Sequence, residues 1–392
     1  MQIAMSRGLE RLVLEVDDAR CVGAFPAPPA LADPADAVRG ALDEPLEYPP
    51  LRRALTPDDR VAVVLDELLP GLARLVAPVL EHIASAGVPP ANVVLVCAPG
   101  NPAHAWIDDL PDELGDVHLE DHDPKDKKKL AYMATTQSGR RIYLNRTVVE
   151  ADQVVVLTGR RFDPILGHAG GETSIFPMLA DEETRYETMK LAPKAIFAEA
   201  TEVAWLFGQP FHVQLIHSGG DGIAEAIAGA REATQRGRER LDAGWSARVP
   251  HHADTVVVSL GGDPARQTFA DIARAAYTAS KAVAPDGRIV ILTDAAPPLA
   301  PGLERLTRGE EPEDILVSLR KANRPEALPA IHWLRALTRA RLSLWSRLPA
   351  AVVEDLGAAP LEDVAQVQRL VSASKGVVFL EDGHRRRVKV AE

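Results

Sequence analysis

The most constraining feature of this chain is a set of short, continuous apolar runs, each closed by turn residues. The clearest is Val154 to Leu157, in the stretch ADQVVVLTGRRFDPILGHAGGETSIFPMLADEETRYETMK from Ala151 to Lys190. A run of this kind suits a strand buried on both faces, as in a parallel sheet. Gly159 is expected to end it, and Arg160 and Arg161 follow at once. Asp163, His168 and the pair Gly170-Gly171 come next. Open α/β sheets place ligands just past the carboxyl ends of their strands, which makes this segment a candidate site. The same residues also fit a solvated connection whose glycines only make turns.

Similar runs recur at Arg60 to Leu65 (RVAVVL) and Asn92 to Cys97 (NVVLVC). Between them, Leu72, Leu75, Val76, Val79, Leu80 and Ile83 keep the three- and four-residue spacing of an amphipathic helix, predicted over Pro70 to Ala86. Strand, helix and strand at this spacing form a right-handed βαβ unit. Leu12 to Val16 reads as a strand in a hairpin-like entry, and Ala35 to Leu42 as a short helix after the Asp33-Pro34 turn. Tyr132 to Glu150 suggests a hairpin turning at Gly139. Phe211 to Ile216 alternates apolar and polar residues, as a half-exposed strand would, and a long helix is expected from Ile223 to about Ala243.

A second α/β pattern starts at Thr255 to Leu260 and continues through Arg288 to Leu292 and Gly376 to Leu380, with helices at about Thr268 to Val283, Glu311 to Lys321, Leu328 to Ala340 and Leu361 to Ser374. Trp245 to Ala253 reads as the linker, and Arg385 to Arg387 as a surface turn. The fold class is therefore α/β with two domains, residues 1–248 and 249–392, each a mostly parallel sheet flanked by helices. A cleft between them would gather loops from the strand ends of both.

Composition narrows the function classes. The net charge of −12 over 392 residues argues against nucleic-acid binding, since a phosphate backbone would be repelled. No apolar run approaches the roughly 18 residues of a membrane span, and no signal peptide is expected. Cys21 and Cys97, the only cysteines, cannot build a disulfide scaffold and fit a reducing cytoplasm. No P-loop, HExxH, GxSxG or CxxC occurs, and a Gly-Gly pair alone is a weak phosphate signal.

Past the predicted strands lie Asp66 and Glu67, Asn101 and His104, Arg160, Arg161 and Asp163, and Asp263 and Arg266. Arginine clamps a carboxylate with a bidentate fork, and histidine or a carboxylate can move a proton on the neighbouring carbon. A small carboxylate or hydroxy acid is the expected partner.

Read together, several segments resemble the lactate racemase family. They are ALDEPLEYPPLRRAL, RVAVVLDE, HIASAGVPPANVVLV, HDP at His122 to Pro124, ATTQSGRRIYLNR, ADQVVVLTG, AGGETSIFP and YETMK, then ADTVVVSLGGDP and AVAPDGRIVILTD. The resemblance spans nearly the whole chain. It implies two α/β domains and a nickel-pincer nucleotide, tethered through a lysine and with its nickel bound by a histidine, serving 2-hydroxy-acid racemisation with two further histidines as proton shuttles.

The sequence departs from that pattern. The tether position, two residues after Gly170-Gly171, is Thr173. A proton-shuttling histidine should fall near Asp163, the other aligns with Asn101, and the nickel histidine should follow YETMK, where Leu191-Ala192-Pro193 stands. The family's acid after the first strand survives as Glu67, while its arginine partner is replaced by Pro70. A glutamine and lysine on the helix after GGDP align with Asp271 and Arg274. The resemblance thus implies a divergent member without the covalent cofactor and without an assigned metal ligand. Asp163, His168 and Glu67 are its candidate acid/base groups, and Asn101, Thr173, Asp271 and Arg274 its candidate substrate contacts. The alternative is a non-catalytic paralogue that senses a ligand or partners an active racemase. The sequence leaves catalysis itself open.

Overall fold

In the computed structural model, residues 1–98, 104–114, 117–208, 210–322 and 324–391 are described. The strands, in chain order, are β1 (Gln2–Arg7), β2 (Glu10–Glu15), β3 (Cys21–Phe25), β4 (Val61–Leu65), β5 (Val93–Cys97), β6 (His118–Asp121), β7 (Leu130–Thr135), β8 (Arg141–Asn145), β9 (Gln153–Asp163), β10 (Gly167–Ala169), β11 (Phe211–His217), β12 (Ile223–Gly229), β13 (Ser246–Val249), β14 (Ala253–Ser259), β15 (Val283–Leu292), β16 (Arg341–Trp345), β17 (Ala358–Pro360), β18 (Val377–Leu380) and β19 (Arg387–Val390).

The chain forms two compact units. One holds residues 30–217 and 222–243, the other residues 1–29, 218–221 and 244–392. The single cut expected near residue 248 does not describe this arrangement, because the chain passes between units several times. The reason lies in the strand pairing of the second unit. Its sheet runs β17-β16-β15-β14-β18-β3, all parallel, so β3 from the chain's start forms its edge. The β1–β2 hairpin then covers one face of that sheet: Ile3, Met5 and Leu14 pack with Val257, Val290, Phe379, Val367 and Val371. On the other face Val256, Val258 and Ile289 pack against the helices Phe269–Ser280 and Leu328–Leu337.

In the unit of residues 30–217, the sheet order is β12-β11-β9-β4-β5-β6. The strands from β11 to β6 are parallel, with β12 antiparallel at one edge. Period-two alternation divides β4 between two cores. Val61, Val63 and Leu65 face the helix Leu72–Ala84, and Ala62 and Val64 face Ile175, Phe176 and Val203. Full burial of each such valine contributes about 1.5–3 kcal/mol, which is why these runs fix the strands so firmly.

Five local expectations are corrected. The strand opened by Val154 does not end at Gly159. It runs on to Asp163 and pairs back with β10 as an antiparallel hairpin, because Arg160 is buried and paired there. Phe211–His217 is buried throughout rather than half-exposed, as an interior strand between β9 and β12. Ile223 starts a strand and not a helix. The helix begins only at Arg231, since residues 223–229 pair with β11. The expected linker contains β13, which pairs with β19; Trp245 is buried, and Arg386 of the expected surface turn stacks over its ring. No described helix is long and apolar enough to cross a membrane.

Candidate functional site

Parallel pairing brings the carboxyl ends of β4, β5 and β6 into line. Leu65 lies opposite Cys97, and Cys97 opposite Asp121. Asp66 and Glu67 follow β4 directly. His104 precedes a short 3-10 turn after β5, held in the left-handed backbone region at φ 38°. Polar residues far apart in sequence therefore meet at one sheet edge.

At the centre of this group is His104. Its Nδ1 is 2.7 Å from Glu67 Oε1 and its Nε2 is 3.1 Å from Asp121 Oδ2. Trp106 Nε1 donates to the same Glu67 oxygen at 2.8 Å. The His104 and Glu67 side chains are only 10% and 8% exposed. Burial works to lower the pKa of His104, but the hydrogen bonds to Glu67 and Asp121 outweigh it, and the net shift is upward. The buried thiol of Cys97 stands beside them. Its pKa is raised, by burial first and then by the charges of Glu67 and Asp121.

A second group surrounds the two arginines of β9. Arg161 Nη1 donates to Asp66, which also accepts from the Gly159 amide at 3.3 Å and the Leu68 amide at 3.2 Å. Nearly a third of the Arg161 side chain, 30%, stays open to solvent. Arg160 points the other way into a closed network. Its guanidinium reaches Glu172 at 3.0 Å, the Gly170 carbonyl at 2.7 Å, the Thr234 carbonyl at 3.2 Å and the Gln214 side chain. Arg238 also donates to Glu172, at 3.0 Å. Burial alone would push the Glu172 pKa up; the charge of Arg160, aided by His212 and Arg238, brings it down to about 2.

The candidate residues from sequence are not all brought together. Glu67 joins His104. Asp163 accepts from the Ile165 and Leu166 amides, both at 2.8 Å, and so ties the turn between β9 and β10. His168 pairs across that hairpin with Phe162, its ring tilted against the phenyl at 5.5 Å, and its Nε2 lies 3.2 Å from Asp242. Cross-strand partners share a face and neighbours along a strand alternate, so Asp163 and His168 sit on opposite faces of the hairpin. Thr173 is buried, its hydroxyl donating to the Gly170 carbonyl at 3.1 Å. In the other unit, Asp271 forms a capping box with Thr268, and half-buried Arg274 lies close enough to His384 for its charge to depress that imidazole. Asn101 lies outside the described residues.

Sequence reasoning gave Cys97 no role beyond compartment and passed over Asp121 and Trp106. The available signal was that Cys97 and Asp121 close consecutive strands, which becomes spatial information only once the pairing register is known.

The arrangement defines a class: an α/β protein with polar residues gathered at the carboxyl edge of a parallel sheet. Residues 8–190 match the lactate racemase N-terminal domain. A lactate racemase from Thermoanaerobacterium thermosaccharolyticum is 23% identical over 320 residues, covering 75% of this chain and 74% of that protein. The apoprotein structure of lactate racemase from the same organism superposes with a TM-score of 0.77 at 19% identity, covering 99% of this chain and 100% of the other. A Thermotoga maritima protein shares the fold at a TM-score of 0.61 and 13% identity, over 92% of this chain and 99% of its own. Over residues 8–190 the chain is thus similar in sequence to the lactate racemase N-terminal domain, and along its whole length it shares the fold of a lactate racemase.

The family resemblance puts a covalent cofactor tether at Thr173 and a nickel ligand just after Lys190. A threonine with a committed hydroxyl fills the tether position, and no lysine occurs between Gly170 and Met189. No histidine follows Lys190, where Leu191-Ala192-Pro193 leads into the helix Pro193–Leu206.

Proposed function

We propose that this protein binds a small carboxylate of the 2-hydroxy-acid kind through the unit of residues 30–217, without a covalently tethered nickel-pincer nucleotide. The observation that carries the reading is Thr173. It is buried, holds the Gly170 carbonyl, and offers no amine for a tether. Arg161 supplies the anion contact. Asp66 holds it from one side, and the part of its guanidinium left open can present two parallel N–H groups to a carboxylate. Burial works against the Arg161 charge, yet Asp66 overcomes it and raises the pKa, so the group stays cationic across the physiological range. The likeness to a lactate racemase supports the substrate class.

The test pairs intact mass and nickel content with thermal melting. The protein is co-expressed with enzymes that make the pincer cofactor, then melted with D-lactate, L-lactate and longer 2-hydroxy acids. The expected result is an unmodified mass without stoichiometric nickel and a higher melting temperature with at least one acid. That shift disappears in Arg161→Gln. Ligand at a hundredfold excess over Kd adds about 2.7 kcal/mol. A nucleotide-sized adduct with stoichiometric nickel would overturn the reading.

A further inference from the structure

We propose that Glu67, Cys97 and His104 form a binding site for a thiophilic divalent cation of the zinc class. The proposal depends on no part of the reading of carboxylate binding at Arg161.

The first argument is geometric. One ligand atom from each residue lies within 4.8 Å of the other two. Zinc bonds of about 2.0–2.3 Å set tetrahedral ligands roughly 3.3–3.8 Å apart, so closure on a metal asks for side-chain shifts of about 1 Å. Two of the ligands belong to adjacent parallel strands whose ends are in register, Glu67 just beyond β4 and Cys97 closing β5. The sheet therefore sets their spacing, which makes this a preorganised pair rather than a chance meeting of mobile side chains.

The second argument is the outer layer. Metal-bound histidine characteristically donates its other ring N–H to a carboxylate, which fixes the tautomer and aims the ligating nitrogen. Asp121 Oδ2 stands 3.1 Å from His104 Nε2 and takes that place, leaving Nδ1 facing Glu67. Trp106 holds one Glu67 oxygen at 2.8 Å, which orients the carboxylate. Asp121 closes β6, the strand next to β5, so this outer contact is also set by the sheet.

The third argument is chemical. A thiol, an imidazole and a carboxylate together select zinc or cobalt over magnesium or calcium, which prefer all-oxygen sets. The thiolate and not the thiol binds a metal, so the Cys97 proton must leave as the bond forms. Metal entry then expels the Cys97 thiol proton and the proton shared by His104 Nδ1 and Glu67 Oε1, forming bonds to sulfur, nitrogen and oxygen. Three protein ligands leave a fourth position for water or a ligand oxygen, the arrangement of a reactive rather than a purely structural metal.

Cobalt(II) titration of chelator-treated, full-length protein tests the site. The expected result is saturation at a single equivalent, with a near-ultraviolet thiolate-to-cobalt charge-transfer band that zinc abolishes and magnesium does not. Cys97→Ser removes the band. Asp121→Asn, which touches no metal, weakens binding about 10- to 100-fold through His104. Should Cys97→Ser fail to fold, X-ray absorption of the zinc-loaded wild-type protein keeps the test decisive, with one sulfur expected at about 2.3 Å. Absence of saturable binding, a spectrum without a thiolate band, or a zinc shell without sulfur would overturn the proposal.

Discussion

Each unit carries a Gly-Gly pair beyond a strand of its sheet, and the two pairs do opposite things. In the unit that contains the chain's start, Gly261-Gly262 faces carboxylates. The Gly261 amide donates to Asp382 Oδ1 at 2.6 Å, and the next amide but one, at Asp263, donates to Asp221 Oδ2 at 2.5 Å. A Cβ on Gly262 would meet Asp221 Oδ2 at 2.6 Å. In the unit of residues 30–217, Gly170-Gly171 faces a cation. The Gly170 carbonyl accepts from Arg160, and the space where a Gly171 Cβ would stand holds the Arg160 guanidinium. Both pairs would read as anion loops in sequence. One satisfies internal anions with its amides, the other an internal cation with its carbonyl. The lesson is that a glycine pair reports close approach of something, and only the neighbouring charges say of what.

The comparison breaks most visibly at Arg160. Arg160→Leu leaves Glu172 buried beside a single remaining arginine and strips the Gly170 and Thr234 carbonyls of a donor. Removing one partner of a buried ion pair costs about 3–5 kcal/mol. Chemical denaturation should show a loss of that size, or no folded protein at all. A loss below about 1 kcal/mol would mean the network is solvated and the Gly170-Gly171 loop is not organised around the arginine.

Acid should act next most strongly, and again more on the unit of residues 30–217. Burial lowers the pKa of His212 from 6.5 to about 4. The unfolded chain therefore takes up a proton near pH 6.5 that the folded chain refuses until about pH 4. Stability is fully present above pH 6.5 and is lost as pH falls towards 4, by about 3 kcal/mol over the window. Glu172 extends the same loss below its unfolded value, because its folded pKa of about 2 lies under the ordinary 4.5. In the other unit His384 is also depressed, to about 4, by burial and then by Arg385, and adds to the loss in the same window. Denaturation midpoints taken from pH 7 to pH 4 should fall for the wild type and flatten in His212→Gln. An unchanged slope in that variant would assign the acid sensitivity elsewhere.

These features mark how far the sequence could be read. The strands centred on Val61 to Leu65, Val93 to Cys97, Val154 to Leu157 and Thr255 to Ser259 were legible because unbroken apolar runs have few other uses. The helix Leu72–Ala84 was legible from its periodicity. The continuation of β9 past Gly159 was not, since it depends on Glu172 and Thr234 accepting the charge of Arg160 from 12 and 74 positions away. Residues 223–229, rich in alanine and glutamate, carry helix propensity, which pairing with β11 overrides. Of the site, Glu67 was found by its place after a strand. Cys97 and Asp121 gain meaning only from the register that sets them side by side. Asp163 and His168 are five residues apart in sequence, yet the hairpin that joins them also separates them.

That separation yields the smallest and sharpest expectation. The sequence makes Asp163 a candidate acid/base group, while its carboxylate is engaged by the two amides of its own turn. Asp163→Ala removes both bonds at a partly exposed site, and the cost should be about 1 kcal/mol. Asp163→Asn should restore most of it, because an asparagine side-chain oxygen accepts from the same turn amides. The shift in melting temperature produced by a bound 2-hydroxy acid should be the same in both variants as in the wild type. Asp163 would then differ in kind from Arg161, where substitution removes the ligand shift. If Asp163→Ala instead abolished the shift at unchanged stability, the turn assignment would fall, and the residue would return to the set that contacts substrate.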